Sequence, residues 1–313
     1  MSLVPPYGEI ANVMKKGRVI PFLGAGVNFG ERRPADAKWT GHVCGFLPSG
    51  GELAHFLAST TSFPSEDEHD LTDLAKVSSY FVEATARSRL RERLHEVFDR
   101  DYATCDIHTY LAEIAALSPL LIVTTNYDDL IEQAFKKADC PYDLVIHPTD
   151  RKDVDASVLW WRHGAAEPEI VMPNRLYIDL EKTTVIYKMH GTVNRTNGKW
   201  DSYVITEDDY VDFLSHIESA VPAQFIHYFR ERQFLFLGYG LRDWNLRVVL
   251  KNLKTSPSNA RASSGGDEVE DLRSWAIQYR PSELERELWS ARRVKIYDVD
   301  INEFARQLRA KSV

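Results

Sequence analysis

Ile20-Pro21-Phe22-Leu23-Gly24-Ala25-Gly26-Val27-Asn28-Phe29-Gly30 is an apolar run that passes directly into a glycine-rich turn. An unbroken apolar run, without the alternation of a half-exposed strand, is what a strand buried on both faces requires. Such strands occur where helices cover both sides of a parallel sheet. The glycines that follow let backbone N–H groups approach a phosphate, because no side chain intervenes. A tight turn leaving a strand accounts for the same glycines, since the pattern is not G-x-G-x-x-G and no Walker lysine follows it. The stretch therefore decides the fold class before it decides a ligand.

Outward from this strand at 18–23, similar runs at 120–124, 184–189, 234–238, 274–278 and 294–299 read as further strands. Apolar residues three and four apart predict helices at 8–16, 51–58, 71–98 with a break, 127–137, 221–232, 244–253, 284–291 and 301–308. The alternation predicts an α/β fold, a doubly wound and mostly parallel sheet of Rossmann-like type, forming a single domain over 1–313. Residues 31–51 read as a long functional loop, and 255–271, with little to bury, as a flexible surface loop. Residues 57–117, mainly helical, read as a subdomain beside the sheet. No internal repeat is present.

Composition limits the function classes. The chain of 313 residues is 44% hydrophobic and 11% aromatic, enough for a full core. Its formal charge of -8 repels a phosphate backbone, which disfavours direct nucleic-acid binding. Cys44, Cys105 and Cys140 are odd in number and scattered, which suits reduced thiols in a cytoplasm and gives no zinc spacing. No basic segment followed by an apolar run opens the chain, and no apolar stretch approaches ~20 residues, so a soluble cytoplasmic protein with no membrane contact is expected.

Three more predicted strand ends carry polar or glycine-rich motifs. Thr124-Thr125-Asn126-Tyr127-Asp128-Asp129 stands where an open α/β sheet places ligands; alternatively, Asn126 caps the next helix and the aspartates complement its positive end. Tyr187-Lys188-Met189-His190-Gly191 presents a histidine whose ordinary pKa of ~6.5 suits proton transfer, although a lone histidine is more often structural. Phe234-Leu235-Phe236-Leu237-Gly238-Tyr239-Gly240, followed by Asp243 and Asn245, is a strand feeding a glycine turn, or plain punctuation before a helix. Four such motifs at the carboxyl ends of parallel strands converge on one crevice.

In order and type the motifs resemble the sirtuin superfamily from about residue 19 to 245. Gly24-Ala25-Gly26 matches its glycine turn, Thr124-Thr125-Asn126-Tyr127-Asp128 its T-x-N-x-D element, and His190-Gly191 its catalytic histidine pair. No cysteine follows Cys140, so the zinc ribbon that sirtuin deacylases carry after the histidine is missing. The forms Thr125-Asn126-Tyr127-Asp128 and Leu237-Gly238-Tyr239-Gly240-Leu241-Arg242-Asp243-Trp244-Asn245 are more similar to the bacterial sirtuin-like NAD hydrolases of anti-phage defence. That group includes the Thoeris effector and proteins paired with HerA-type ATPases or short Argonautes.

The resemblance implies cleavage of NAD to nicotinamide and ADP-ribose without a metal, depletion of NAD on infection, and a homo-oligomer. It also implies a partner such as a HerA-type ATPase, an Argonaute or a phage-derived activator. Asn126 would hold a water or ribose hydroxyl, Asp128 would supply negative charge, and neutral His190 would accept a proton. Gly24, Ala25 and Gly26 would cradle the pyrophosphate, with Asn28, Thr125 and Arg32 nearby; Arg32 or Arg33 either neutralises phosphate or is simply solvated. Gly238, Tyr239 and Asp243 would lie along the adenosine half. Three alternatives stand beside this reading. An NAD or ADP-ribose sensor would need neither Asn126 nor His190; a deacylase would have to manage without zinc. A dehydrogenase would show G-x-G-x-x-G with an acidic residue ~20 positions later.

Overall fold

The computed structural model describes residues 3–31, 37–41, 43–149, 154, 156–239 and 274–312. The strands are β1 (Val19–Leu23), β2 (Leu121–Thr124), β3 (Asp143–Ile146), β4 (Val158–Trp161), β5 (Glu169–Val171), β6 (Val185–Lys188), β7 (Gly191–Thr192), β8 (Ser202–Tyr203), β9 (Gln233–Leu237), β10 (Ser274–Gln278) and β11 (Val294–Asp298). Nine of them form one sheet in the order β11-β10-β9-β1-β2-β6-β3-β4-β5, and β7 pairs with β8 separately. From β11 through β3 every neighbour is parallel, and β4 and β5 add antiparallel strands at one edge. All six strands expected from sequence are present in this α/β fold.

Successive side chains of the central strands enter opposite layers, which is why the runs show no polar gaps. Ile20 and Phe22 of β1, with Phe234 and Phe236 of β9, belong to one apolar cluster; Val19, Leu23, Leu235 and Leu237 belong to the other. The first cluster is closed by α10 (Ala223–Glu231) through Phe225 and Phe229, and by Trp289 of the later helix Glu283–Ser290. The second is closed by α1 (Tyr7–Lys15), α6 (Asp106–Ala115) and α7 (Leu130–Lys137), with Phe304 and Leu308 of the last helix, Ile301–Ala310. A third cluster joins α2 (Gly50–Ser59), α4 (Leu74–Ala84) and α5 (Arg87–Phe98) to Tyr127, Tyr203 and Ile205. This helical layer lies against the loops at the carboxyl ends of the strands.

The sheet edge formed by β3, β4 and β5 was not evident from the sequence. These strands have four, four and three residues, and Glu169 and Ile170 of β5 are exposed, so apolar periodicity hardly develops. Asp143, a strand breaker by propensity, is tolerated because its carboxylate accepts from Trp160 Nε1 at 2.8 Å and His163 N at 2.9 Å. The helix expected from 127 begins at Leu130 because the preceding residues form a turn. The expected helix at 244–253 and loop at 255–271 lie outside the described residues. Among the described residues no helix is long and apolar enough to cross a membrane.

The chain leaves β1 for β2 on one side and later returns to β9 on the other. Strand order thus reverses at β1, and the crevice at its carboxyl end is where a doubly wound sheet takes a ligand.

Candidate active site

The loops leaving β1 and β9 touch through glycine. Gly26 N donates to Gly238 O at 2.8 Å, and Gly24 N to Leu237 O at 3.0 Å. A Cβ on Gly26 would stand 2.6 Å from Gly238 O, one on Gly24 2.7 Å from the Tyr239 ring, and one on Gly238 2.1 Å from Val27 N. Gly238 also has φ +61°, which favours glycine. The close approach of two turns therefore explains these glycines before any ligand is considered. Beyond them the 3-10 helix Ala25–Glu31 carries Asn28 inward, where it is buried.

The loop after β2 is fastened to the same turn. Thr125 N donates to Leu23 O at 3.2 Å and Asn126 Nδ2 to Gly24 O at 3.3 Å. Asn126 is thus a tie between two strand ends rather than a helix cap. The N-cap of α7 is Asp129, and the residue before it, Asp128, accepts from Leu130 N through Oδ1 at 3.1 Å and from Asn28 Nδ2 through Oδ2 at 2.9 Å. Burial pushes the Asp128 carboxyl above its ordinary range, and the nearby Lys188 ammonium opposes that push. Asn28 Oδ1 is a buried acceptor without a donor among the described residues; a hydroxyl or amide of a ligand would satisfy it.

His190 follows β6, is 5% exposed, and meets the rings of Tyr210 and Phe213 edge-on at 5.5 and 5.6 Å. Burial, assisted by the neighbouring His147, pushes its pKa down to about 3. The imidazole is therefore neutral at physiological pH. The aromatic wall that positions His190 also removes the water that would stabilise its charged form.

These parts enclose a cavity of 680 Å³ between the strand ends and the helical layer, within the roughly 300–1,000 Å³ common for small-molecule sites. Gly24, Ala25, Gly26 and Asn28 border it from the first loop, Thr125, Asn126 and Asp128 from the second, His190 from the third, and Gly238 and Tyr239 from the fourth. Arg32, Arg33, Asp243 and Asn245 lie outside the described residues. Ser49, Gly50 and Gly51, the end of the segment 31–51 expected to be a functional loop, close the cavity from the helical side at the start of α2, as does Phe98 at the end of α5, which sequence reasoning missed. It also missed a buried pair behind the site, Lys188 with Glu132, at 2.9 Å. A lysine inside a run otherwise read as buried was the available signal. Among the described residues no group of three or more His, Cys, Asp or Glu is placed to hold a metal.

The sequence profile of the SIR2-like domain matches residues 120–297, more than half of the chain. The chain belongs to the SIR2-like domain family. Over 248 residues this SIR2-like domain is 25% identical to the NAD(+) hydrolase ThsA of Enterococcus faecium, covering 79% of this chain and 42% of that protein. It is 21% identical over 255 residues to Defense-associated sirtuin 2 of Bacillus subtilis, covering 80% of this chain and 20% of that protein. The NAD(+) hydrolase ThsA of Acinetobacter baumannii is 28% identical over 184 residues, covering 58% of this chain and 32% of that protein. The matched region thus spans less than half the length of each of these relatives. A solved structure from work on Sir2 enzymes superposes over 98% of this chain and 97% of its own with a TM-score of 0.42 at 11% identity.

Proposed function

We propose that this SIR2-like chain binds NAD in the 680 Å³ cavity and hydrolyses its nicotinamide–ribose bond, acting as a defence effector that depletes NAD. The observation that carries the reading is the convergence of four strand-end motifs, with Asn126, Asp128 and His190 among them, on one cavity at the switch point of the sheet. The names of the ThsA relatives support the same substrate.

In the reaction the C1′–N bond breaks and nicotinamide leaves as a neutral pyridine with the bonding electron pair. Water forms the new C1′–O bond and loses a proton, giving ADP-ribose. The transition state places positive charge on the ribose, which the site must tolerate and orient. Asn126, anchored through its Nδ2 to Gly24 O, has its amide oxygen to offer a water or a ribose hydroxyl. Asp128 supplies negative charge close behind and holds Asn28. His190, neutral because it is buried, accepts a hydrogen bond from a ribose hydroxyl without repelling the developing cation. The turn at Gly24, Ala25 and Gly26, facing the start of α2 at Ser49 and Gly50, suits the pyrophosphate, since helix N-termini favour anions. Gly238 and Tyr239 take the adenosine side.

We assign this activity to residues 1–313 as one catalytic unit, with the helical layer as its cap. Control by self-association or by an activating partner is part of the proposal, because an effector that destroys a central cofactor needs an off state. The test is a chromatogram of NAD incubated with the protein across a range of protein concentrations. Equimolar nicotinamide and ADP-ribose are expected, with specific activity rising with concentration; unchanged NAD under all conditions would overturn the hydrolase reading in favour of a sensor.

A further inference from the structure

Lys188, the last residue of β6, stands two positions before His190 and is fully buried. Its Nζ is 2.9 Å from Glu132 Oε1 on α7, and it donates to the backbone carbonyls of Asp128 at 2.5 Å and Tyr127 at 3.4 Å. The three donors of one ammonium thus meet three acceptors. Two of these acceptors belong to the turn that carries Asn126 and Asp128 from β2 into α7.

A buried ion pair is a poor device for stability alone, because an apolar pair of similar volume does as well or better. Here the pair is also incompletely satisfied, for Glu132 Oε2 is buried without a partner among the described residues. What the ammonium gains by its position is a grip on backbone atoms. The Tyr127 carbonyl is shared with Val193 N at 2.9 Å, and the turn is also tied through Thr125 N to Leu23 O, Asn126 Nδ2 to Gly24 O and Asn28 Nδ2 to Asp128 Oδ2, so the contact that Lys188 adds most distinctly is the one to the Asp128 carbonyl. A rotation of the peptide between Asp128 and Asp129 would break the shortest Lys188 contact and swing the Asp128 side chain. Lys188 itself does not border the cavity, so it acts only through what it holds.

We propose that Lys188 is a positioning residue, which by binding the Asp128 carbonyl fixes the direction in which Asn126 and Asp128 face the substrate. In its catalytic consequence the inference rests on the NAD-cleavage reading. Glu132 has the supporting role of neutralising the ammonium where water cannot.

Two variants test this. Lys188→Met alone leaves Glu132 buried without a counter-ion, so Lys188→Met with Glu132→Leu is made beside it to restore stability. Three quantities are read: the melting temperature, NAD turnover, and backbone hydrogen exchange of the peptide 125–130. The double variant is expected to melt within a few degrees of wild type and to lose at least about 100-fold in kcat with KM within about threefold. Exchange in 125–130 should be accelerated while β1 and β9 stay protected. A stable double variant that turns over within about threefold of wild type, or whose 125–130 exchange is unchanged, overturns the proposal. Failure of both variants to fold would also overturn it, since Lys188 would then hold the fold rather than the turn. If the wild-type protein leaves NAD intact, the cleavage reading fails separately, and the exchange measurement alone decides the role of Lys188.

Discussion

Asn126 and His190 differ in how much of their environment a sequence can convey. Asn126 makes one modest hydrogen bond to Gly24 O, worth about 1 kcal/mol, so Asn126→Ala should fold and keep its melting temperature within a few degrees. Its kcat should nevertheless fall by about 100-fold or more, because a misplaced water or ribose hydroxyl costs orientation. A soluble Asn126→Ala variant with near wild-type nicotinamide release would remove the residue from the mechanism. His190 leads to a different expectation. Its pKa of about 3 lies far below the working range, so kcat/KM should be level between pH 6 and 8 apart from other groups, with no limb at 6.5. Measuring that profile in wild type and His190→Ala checks it; a limb near 6.5 lost only in the variant would mean that His190 is solvated in the working enzyme. The sequence indicated the location of both residues, since each follows a buried strand. It could not indicate the charge state of His190, which depends on Tyr210 and Phe213 arriving from α8 (Glu207–Ser215). Contacts between residues distant in sequence set that pKa, and no local pattern records them.

At the scale of elements the junction of the β1 and β9 loops is the most constrained part of the site. Gly238→Ala would need φ +61° and a Cβ 2.1 Å from Val27 N, so it should destabilise the protein by at least about 2 kcal/mol and reduce NAD affinity with it. Gly45 supplies the comparison: a Cβ there meets nothing within 4 Å, and Gly45→Ala should stay within about 0.5 kcal/mol of wild type. Chemical denaturation of the two variants decides the matter, and equal stabilities would mean that the loops yield where the structure shows them locked. The same junction explains why the core of the fold was legible. β1, β2, β6 and β9 are buried on both faces, so their sequences are nearly uninterrupted apolar runs that end at conspicuous glycine or polar turns. β4 and β5 lie at an edge, where half-exposure and brevity erase the signal, and α8 opens on Glu207-Asp208-Asp209, which reads as loop until the Thr206 capping box is seen.

For the whole molecule, buried histidines make a prediction independent of catalysis. His108, His147 and His190 have pKa values pushed down by burial to about 4, about 4 and about 3, against 6.5 for each when exposed in the unfolded chain. The unfolded state therefore binds more protons between these values, and stability must rise with pH across that window. Their contribution is intact above pH 6.5 and is lost progressively as pH falls toward 4. By pH 5 each histidine should cost about 2 kcal/mol, so three approach the full stability of an ordinary domain. Asp128 and Glu132, whose carboxyls burial raises above their ordinary range, act in the opposite sense as they protonate. Denaturant melts at pH 7, 6 and 5 should show stability falling with a slope that approaches three protons taken up on unfolding. His108 allows the cause to be isolated away from the cavity. Its Nδ1 accepts from Cys105 N at 3.1 Å at the start of α6, a position where glutamine can close the same capping interaction without titrating. His108→Gln should thus preserve stability at pH 7 within about 1 kcal/mol and reduce the pH slope by one third, leaving NAD turnover unchanged. An unaltered slope in that variant would show that His108 is not held neutral in the folded protein, and that the acid lability arises elsewhere.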